Sequence, residues 1–316
     1  MIIISEPILE PALKPHQATF NIHYDPELFQ KRDELKALLK NASALIVRNQ
    51  TQVDTDLIAK ADNLKVVGRL GVGLDNLDIP ALKERGVVVT WGPGTNAVSV
   101  AEYVLGAMLE LSRRFTKVSA ELHSGAWNRQ AAIGTELYGK TLGIVGLGDI
   151  GSRLARRAHA FSMKVVAHDP VVYENAFAPQ EYGVGLLELP EVLKSDFVSL
   201  HAPLLPSTKH LVNAESLKQM KPSACLINTA RGGLVDEHAL AHALRNGTLA
   251  GAALDVRASE PPGEDDPLRG LENVILTPHI AGVTLESNTR VSFHVVQDVV
   301  RVLQGQAPLS RAPGSA

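Results

Sequence analysis

Gly146, Gly148 and Gly151 stand in the order G-x-G-x-x-G directly behind the apolar run 142–145. Asp149 and Ile150 fill the last two variable positions, and Asp169 closes the next apolar run eighteen residues after Gly151. A glycine turn leading into a helix presents free N–H groups and the positive end of the helix dipole to a phosphate. Within such a turn Gly146 permits the tight bend, Gly148 lets the backbone approach a pyrophosphate, and Gly151 lets helix and strand pack closely. Asp169 can accept hydrogen bonds from both ribose hydroxyls, and its charge repels a 2′-phosphate, so the spacing points to NAD over NADP. A lone glycine pattern is weak; one set between strand, helix, strand and acid is strong.

A second group of polar residues follows later apolar runs. His201, Ala202 and Pro203 come after 197–200, Thr229, Ala230 and Arg231 after 225–228, and His279 after 274–276. Asp255 ends one more run, and Glu260 lies just beyond it. Open α/β sheets bind ligands at the carboxyl ends of their strands, where these residues fall. Arg231 can grip a carboxylate with two parallel hydrogen bonds and polarise the neighbouring carbonyl. A histidine such as His279 serves as general acid and base, and a carboxylate such as Glu260 beside it favours imidazolium and fixes the tautomer. Singly, each has a plainer role as a surface charge or a capping histidine. Together, behind a nicotinamide site, they suit holding a 2-oxo acid and moving a proton.

The elements that must position them read as α/β. Short apolar strands at 2–5, 44–48, 64–68 and 87–90 alternate with helical stretches at 26–39, 54–61 and 78–85. Such alternation predicts parallel pairing in a doubly wound sheet. A long, mostly apolar helix over 98–115 needs cover beyond one sheet face, from another domain or subunit. Strands at 197–200, 225–228, 252–256 and 274–276 continue the dinucleotide unit, with helices at 215–220 and 237–246. A helix over 285–303 precedes a tail, 304–316, that reads as disordered. The 316 residues suffice for two cores, and a net charge of −3 leaves no electrostatic footprint for nucleic acid or membrane. Cys225 is the single cysteine, so no intrachain disulfide forms, and its apolar run suits a buried structural thiol. No spacing suggests a metal site, and no signal peptide or membrane span is legible, so the expected setting is cytoplasmic.

The chain resembles the D-isomer-specific 2-hydroxyacid dehydrogenases, and among them the phosphoglycerate dehydrogenases. The likeness is carried by VGRLGVGLDNLDIPA, TLGIVGLGDIG, HAPLLPSTKHLVN, LINTARGGLVDE, GAALDV, SEPP and NVILTPHIAG, in that order over residues 2–303. It implies a Rossmann-type dinucleotide-binding domain, 98–284, inserted in a flavodoxin-like α/β substrate domain formed by 1–97 and 285–316. It implies hinges near 96–101 and 283–285, an active site in the cleft, NAD as cofactor, and a homodimer packed through the helix near 98–115. The family's catalytic triad falls on Arg231, Glu260 and His279, and its nicotinamide-amide aspartate on Asp255. Cofactor contacts fall on Gly146, Gly148, Asp149, Ile150, Gly151, Asp169, His201, Ala202, Pro203, Thr208, Thr229, Ala230, Asp255, His279 and Gly282. Substrate contacts fall on Arg48, Arg69, Val72, Gly73, Asn96 and Arg231, with Arg48 and Arg69 matching the pair that faces a substrate phosphate.

Departures from the family pattern shape the expectations. The usual aromatic after Asp-Val is Arg257, a third cation expected at the cleft rim or in solvent. The common arginine of the glycine loop is Asp149, so a pyrophosphate must rely more on backbone N–H groups. No regulatory domain is expected after the final helix. GRLGVGLDN and PHIAGVT also look similar to (S)-sulfolactate dehydrogenases, in which a sulfonate replaces the phosphate. The expected activity is therefore NAD-dependent hydride transfer at C2 of a 2-hydroxy acid with an anionic tail. The alternatives are a glyoxylate or hydroxypyruvate reductase, for which the two arginines have no ligand role, and a non-enzymatic NADH sensor of the corepressor type that shares the fold.

Overall fold

The computed structural model describes residues 1–130 and 132–316. They form two units, Met1–Asn96 with Val283–Ala316, and Ala97–Gly282. The first opens with β1 (Ile2–Ile4), β2 (Ile22–Tyr24), α1 (Arg32–Leu39), β3 (Ala44–Val47), α2 (Thr55–Ile58), β4 (Val66–Arg69), α3 (Ile79–Glu84) and β5 (Val88–Trp91). The second begins with α4 (Ala97–Arg113), α5 (Phe115–His123), β6 (Thr141–Val145), α6 (Asp149–Ala160), β7 (Lys164–His168), α7 (Phe177–Tyr182) and β8 (Gly185–Leu186). It continues through α8 (Leu189–Val192), β9 (Phe197–Leu200), α9 (Ala214–Leu217), β10 (Cys225–Asn228), α10 (Glu237–Arg245), β11 (Gly251–Leu254) and β12 (Val274–Leu276). The chain then returns to the first unit as α11 (Leu285–Leu303).

The first sheet runs β2-β1-β3-β4-β5, every pair parallel, which is the flavodoxin-like order. Its strands are apolar on both faces because both faces are covered. Ile3, Leu45 and Val67 share one core with Leu35 and Leu39 of α1, while Ile2, Ile4, Ile46 and Val66 share another with Val291, Val295 and Val299 of α11. Gly68 is what lets α11 lie so close, since a Cβ there would come within 2.6 Å of Val299. The half-buried edge strand β2 is absent from the sequence reading, because Ile22-His23-Tyr24 is too short to show a period.

The tail after α11 is ordered, contrary to the sequence expectation. Asp298, fully buried on α11, accepts the N–H groups of Leu309 and Ser310 at 2.7 Å each. Arg311 then bridges antiparallel to Thr90, Ala312 donates its N–H to Val89, and the Ala312 side chain is buried. A polar, Pro/Gly-rich stretch looks disordered only while its buried acceptor goes unseen.

The second sheet runs β12-β11-β10-β9-β6-β7-β8, again all parallel, and the strand order reverses between β6 and β9. That reversal is the crevice where doubly wound sheets take their ligands. The apolar α4 finds its cover inside this unit, against α6 and over β10 and β11. It stops at Arg114, whose φ of 50° is left-handed, and α5 then buries none of its residues. Among the described residues no helix is long and apolar enough to cross a membrane.

Candidate active site

The glycine turn lies at the strand-order reversal. Gly146 has φ 97°, and a Cβ on it would come within 2.7 Å of the His201 carbonyl group. Gly151 sits one helical turn into contact with β6, where a Cβ would meet the Gly146 oxygen at 2.3 Å. Gly148 caps α6 with no side-chain hydrogen bond and faces open space, which is what a backbone cradle for a phosphate requires. Asp149 and the half-buried Ile150 begin the helix. Asp169, at the end of β7, accepts the N–H of Leu147 at 2.8 Å, so its carboxylate is fixed beside the glycine turn.

Two strands further on, buried polar atoms of His201 (Nδ1) and Thr229 (Oγ1) have no hydrogen-bond partner among the described residues, at the carboxyl ends of neighbouring β9 and β10. Buried polar groups are nearly always satisfied, so orphaned atoms beside a glycine cradle fit a ligand group. Burial pushes the His201 imidazole down to about 4, so it is neutral, with Nε2 on Ser199 Oγ at 2.9 Å. Ala202, Ala230 and Gly282 are half-buried, and Pro203 is exposed. Thr208 uses its hydroxyl within its own turn, donating to Pro203 O and accepting from Leu205 N–H.

Arg231 and the Glu260–His279 pair hang from the ends of β10, β11 and β12. Buried Asn228 shapes the first of these loops, giving Nδ2 to Arg231 O and taking the Ala230 N–H on Oδ1. The half-buried Arg231 guanidinium donates to Ala230 O at 2.7 Å. His279 Nδ1 lies 2.8 Å from Glu260 Oε2. A carboxylate only accepts, so Nδ1 carries the hydrogen and Nε2 is the nitrogen left to exchange a proton.

His279 is held at φ 58°, a left-handed conformation uncommon for a residue with a Cβ. Asp255 supplies the restraint. Its carboxylate accepts Ile280 N–H, Ala281 N–H and the Thr277 hydroxyl, each at 2.7 Å, and its own carbonyl accepts the His279 N–H. Tyr103 of α4 extends the chain by donating to Thr277 Oγ1. Asp255 thus fixes the histidine loop, with three of the roughly four acceptor positions of its carboxylate in use.

In the first unit, Arg48 follows β3 and Arg69 ends β4, and the register pairs Val47 with Arg69. Arg48 Nη2 donates to Asn288 Oδ1 of α11 at 2.6 Å. Burial opposes its charge and pulls its pKa below the ordinary arginine value, with the Glu6 carboxylate acting the other way. The Arg69 guanidinium folds over Gly71, whose missing side chain provides its room. Val72 and Gly73 follow half-buried, and Asn96 carries a buried Oδ1 without a partner among the described residues.

The family model for the D-isomer specific 2-hydroxyacid dehydrogenase NAD binding domain matches residues 105–281. The chain belongs to this family. It is 47% identical over 304 residues to a Chromohalobacter salexigens (S)-sulfolactate dehydrogenase, covering 96% of this chain and 98% of the relative. It is 40% identical to a Methanocaldococcus jannaschii D-3-phosphoglycerate dehydrogenase, covering 96% of this chain but only 58% of that longer relative. A Thermus thermophilus protein of solved structure superposes with a TM-score of 0.91 at 36% identity, covering 98% of this chain and 99% of the other. The protein is an NAD-binding 2-hydroxyacid dehydrogenase, and the NADH-sensor alternative is not favoured.

Two features of this dehydrogenase depart from the sequence reading or escape it. Arg257 is neither at a rim nor in solvent: it is 9% exposed and paired with Glu237 and Asp266. Glu6, 1% exposed, accepts the N–H groups of Arg48, Asn49, Gln50 and Thr51 and so forms the loop that carries Arg48. Nothing in the sequence marks Glu6 beyond an acid closing an apolar run, whereas Thr277 could be found from its place two residues before His279. Cys225 is buried, with its thiol pushed up to about 11, so it is not a nucleophile at neutral pH.

Proposed function

We propose that this dehydrogenase interconverts a 2-hydroxy acid bearing an anionic tail with its 2-oxo acid. The observation that carries the tail is the placing of Arg48 and Arg69 at the carboxyl ends of register-paired neighbours, β3 and β4. Adjacent strands are about 4.8 Å apart, so the backbones of the two arginines leave the sheet at one edge. The hydrogen bond from Arg48 to the neutral Asn288 amide leaves its charge uncancelled at that contact. A sulfonate tail is favoured by the relative named for (S)-sulfolactate, which matches this chain over nearly its whole length. A phosphate is the second reading, favoured by the relative named for D-3-phosphoglycerate.

Gly146, Gly148 and the start of α6 would hold the cofactor pyrophosphate, and Asp169 the adenosine ribose. NAD, when bound, supplies hydride acceptance and donation at C2. Arg231 binds the substrate carboxylate and polarises the C2 oxygen. His279 takes the C2 hydroxyl proton on Nε2 in oxidation and returns it in reduction, while Glu260 balances the imidazolium through Nδ1–H. The reading includes a cytoplasmic homodimer. Self-association is supported by Phe115 and Leu122 of α5, and by Trp127 and Tyr138 beyond it, all exposed.

NADH consumption with sulfopyruvate, phosphohydroxypyruvate, hydroxypyruvate and pyruvate tests the proposal. The expected result is a kcat/KM at least roughly tenfold higher for a charged tail, about 1.4 kcal/mol of transition-state binding. The ratio of the two charged substrates separates sulfonate from phosphate. Preference for the uncharged pair would make Arg48 and Arg69 structural, and no turnover despite tight NADH binding would overturn the catalytic reading.

A further inference from the structure

The turn that carries Glu260 is built on an ion cluster. The Arg257 side chain is 7% exposed and lies between Glu237, which opens α10, and Asp266, in the loop beyond Glu260. Nε and Nη2 donate to the two oxygens of Glu237 at 3.1 and 2.9 Å. Nη1 and Nη2 donate to the two oxygens of Asp266 at 3.0 and 2.6 Å. Three separate stretches of chain are therefore joined by one planar fork.

The main chain of the turn is tied to the same groups. Ala258 donates its N–H to Glu237 Oε1 at 2.8 Å. Arg257 donates its own N–H to Glu260 Oε1 at 3.0 Å, and the other oxygen of Glu260 is the one on His279. From the opposite side the Arg231 loop presses in: a Cβ on Gly232 would lie 1.9 Å from the Arg257 carbonyl carbon. Once desolvation is subtracted, a buried ion cluster returns little net stability, whereas its hydrogen-bond directions are fixed. An aromatic side chain could fill this volume but could not tie down two carboxylates.

We propose that Arg257 is a positioning residue for the reaction: clamped by Glu237 and Asp266, it fixes the 257–260 turn so that Glu260 stays on His279 Nδ1. The inference rests on the acid–base reading of the Glu260–His279 pair. The charged groups packed around that pair are Arg257, Glu237 and Asp266 on the Glu260 side, Asp255 on the His279 side, and Arg231 across the Gly232 contact.

The test compares wild type, Glu260→Gln, Arg257→Gln and Arg257→Lys as full chains, with NADH and the 2-oxo acid that wild type reduces fastest. The readouts are kcat/KM from about pH 5.5 to 9, NADH affinity by fluorescence, and Tm. Glu260→Gln should move the pH profile towards acid, because imidazolium loses its carboxylate. Arg257→Gln should move it in the same direction and lower kcat roughly tenfold, with NADH affinity within about twofold of wild type. Arg257→Lys should recover only part of the loss, since an ammonium lacks the planar fork. An Arg257→Gln profile that superimposes on wild type overturns the proposal, whatever happens to Tm. If Glu260→Gln superimposes as well, the acid–base reading falls with it; if Glu260→Gln alone shifts, that reading stands and the clamp is merely structural. Should Arg257→Gln not fold, Asp266→Asn removes one arm of the clamp, and its pH profile is judged by the same criterion.

Discussion

At the scale of single residues, His201 shows how burial converts a motif position into a pH liability. Its carbonyl group packs against Gly146, and its imidazole is held near 4 against 6.5 for the unperturbed side chain. Between those values the unfolded chain binds the proton that the folded chain refuses. Stability from this group is therefore complete above about pH 6.5 and declines as pH falls towards 4, by up to about 3 kcal/mol. Thermal unfolding of wild type and His201→Asn between about pH 7 and 4.5 should show a shallower acid decline in the variant. Equal slopes would remove His201 as the source. The same neutrality explains how a histidine can sit beside a turn built for phosphate without adding a charge of its own. Arg257 teaches the converse lesson. As an isolated departure from a motif it reads as a loose cation, because the two acids that bury it, Glu237 and Asp266, are 20 and 9 residues away.

At the scale of elements, the tail after α11 is an integral part of the first unit. Asp298 without its carboxylate would lose two hydrogen bonds to the part-buried N–H groups of Leu309 and Ser310, a cost of about 2 kcal/mol. Asp298→Ala should therefore lower Tm by several degrees and make the peptide bonds after Gln304 the first cut by protease. A Tm within one degree or so of wild type would show that the tail contributes little. The sequence declares the parallel α/β class because β3, β4, β6, β9 and β10 are covered on both faces and so read as mostly apolar runs. The glycine turn is legible for the same reason that it works: no other residue tolerates φ 97° at Gly146 beside the His201 carbonyl. β2 and β8 stay hidden because Ile22-His23-Tyr24 and Gly185-Leu186 form no apolar run, unlike the equally short β1 and β12. In the candidate site, Arg231, Glu260 and His279 stand out by residue type and strand-end position. Asn228 and Asp255, which aim them, act through hydrogen bonds to loop backbone groups that no spacing rule displays.

At the scale of the whole molecule, several large apolar side chains of α5 and the chain beyond it lie exposed. Trp127 is 78% exposed and Tyr138 74%, an unusual cost for a monomer. Sedimentation should therefore give a dimer for wild type, and Trp127→Glu should raise the dimer dissociation constant at least roughly tenfold, about 1.4 kcal/mol. A monomeric wild type would reassign this face. The discontinuity of the first unit bears on something other than catalysis. Its sheet comes from residues before 97 and its covering helix from residues after 283, while the second unit is one uninterrupted stretch. On the ribosome, at about 5–20 residues per second, roughly 200 residues of synthesis separate β5 from the end of α11, a delay of about 10–40 s. Through that interval Ile4, Ile46 and Val66 have no Val295 or Val299 to pack against. The second unit can finish folding while the first still waits, so the nascent chain, rather than the completed one, is the form most in need of a chaperone.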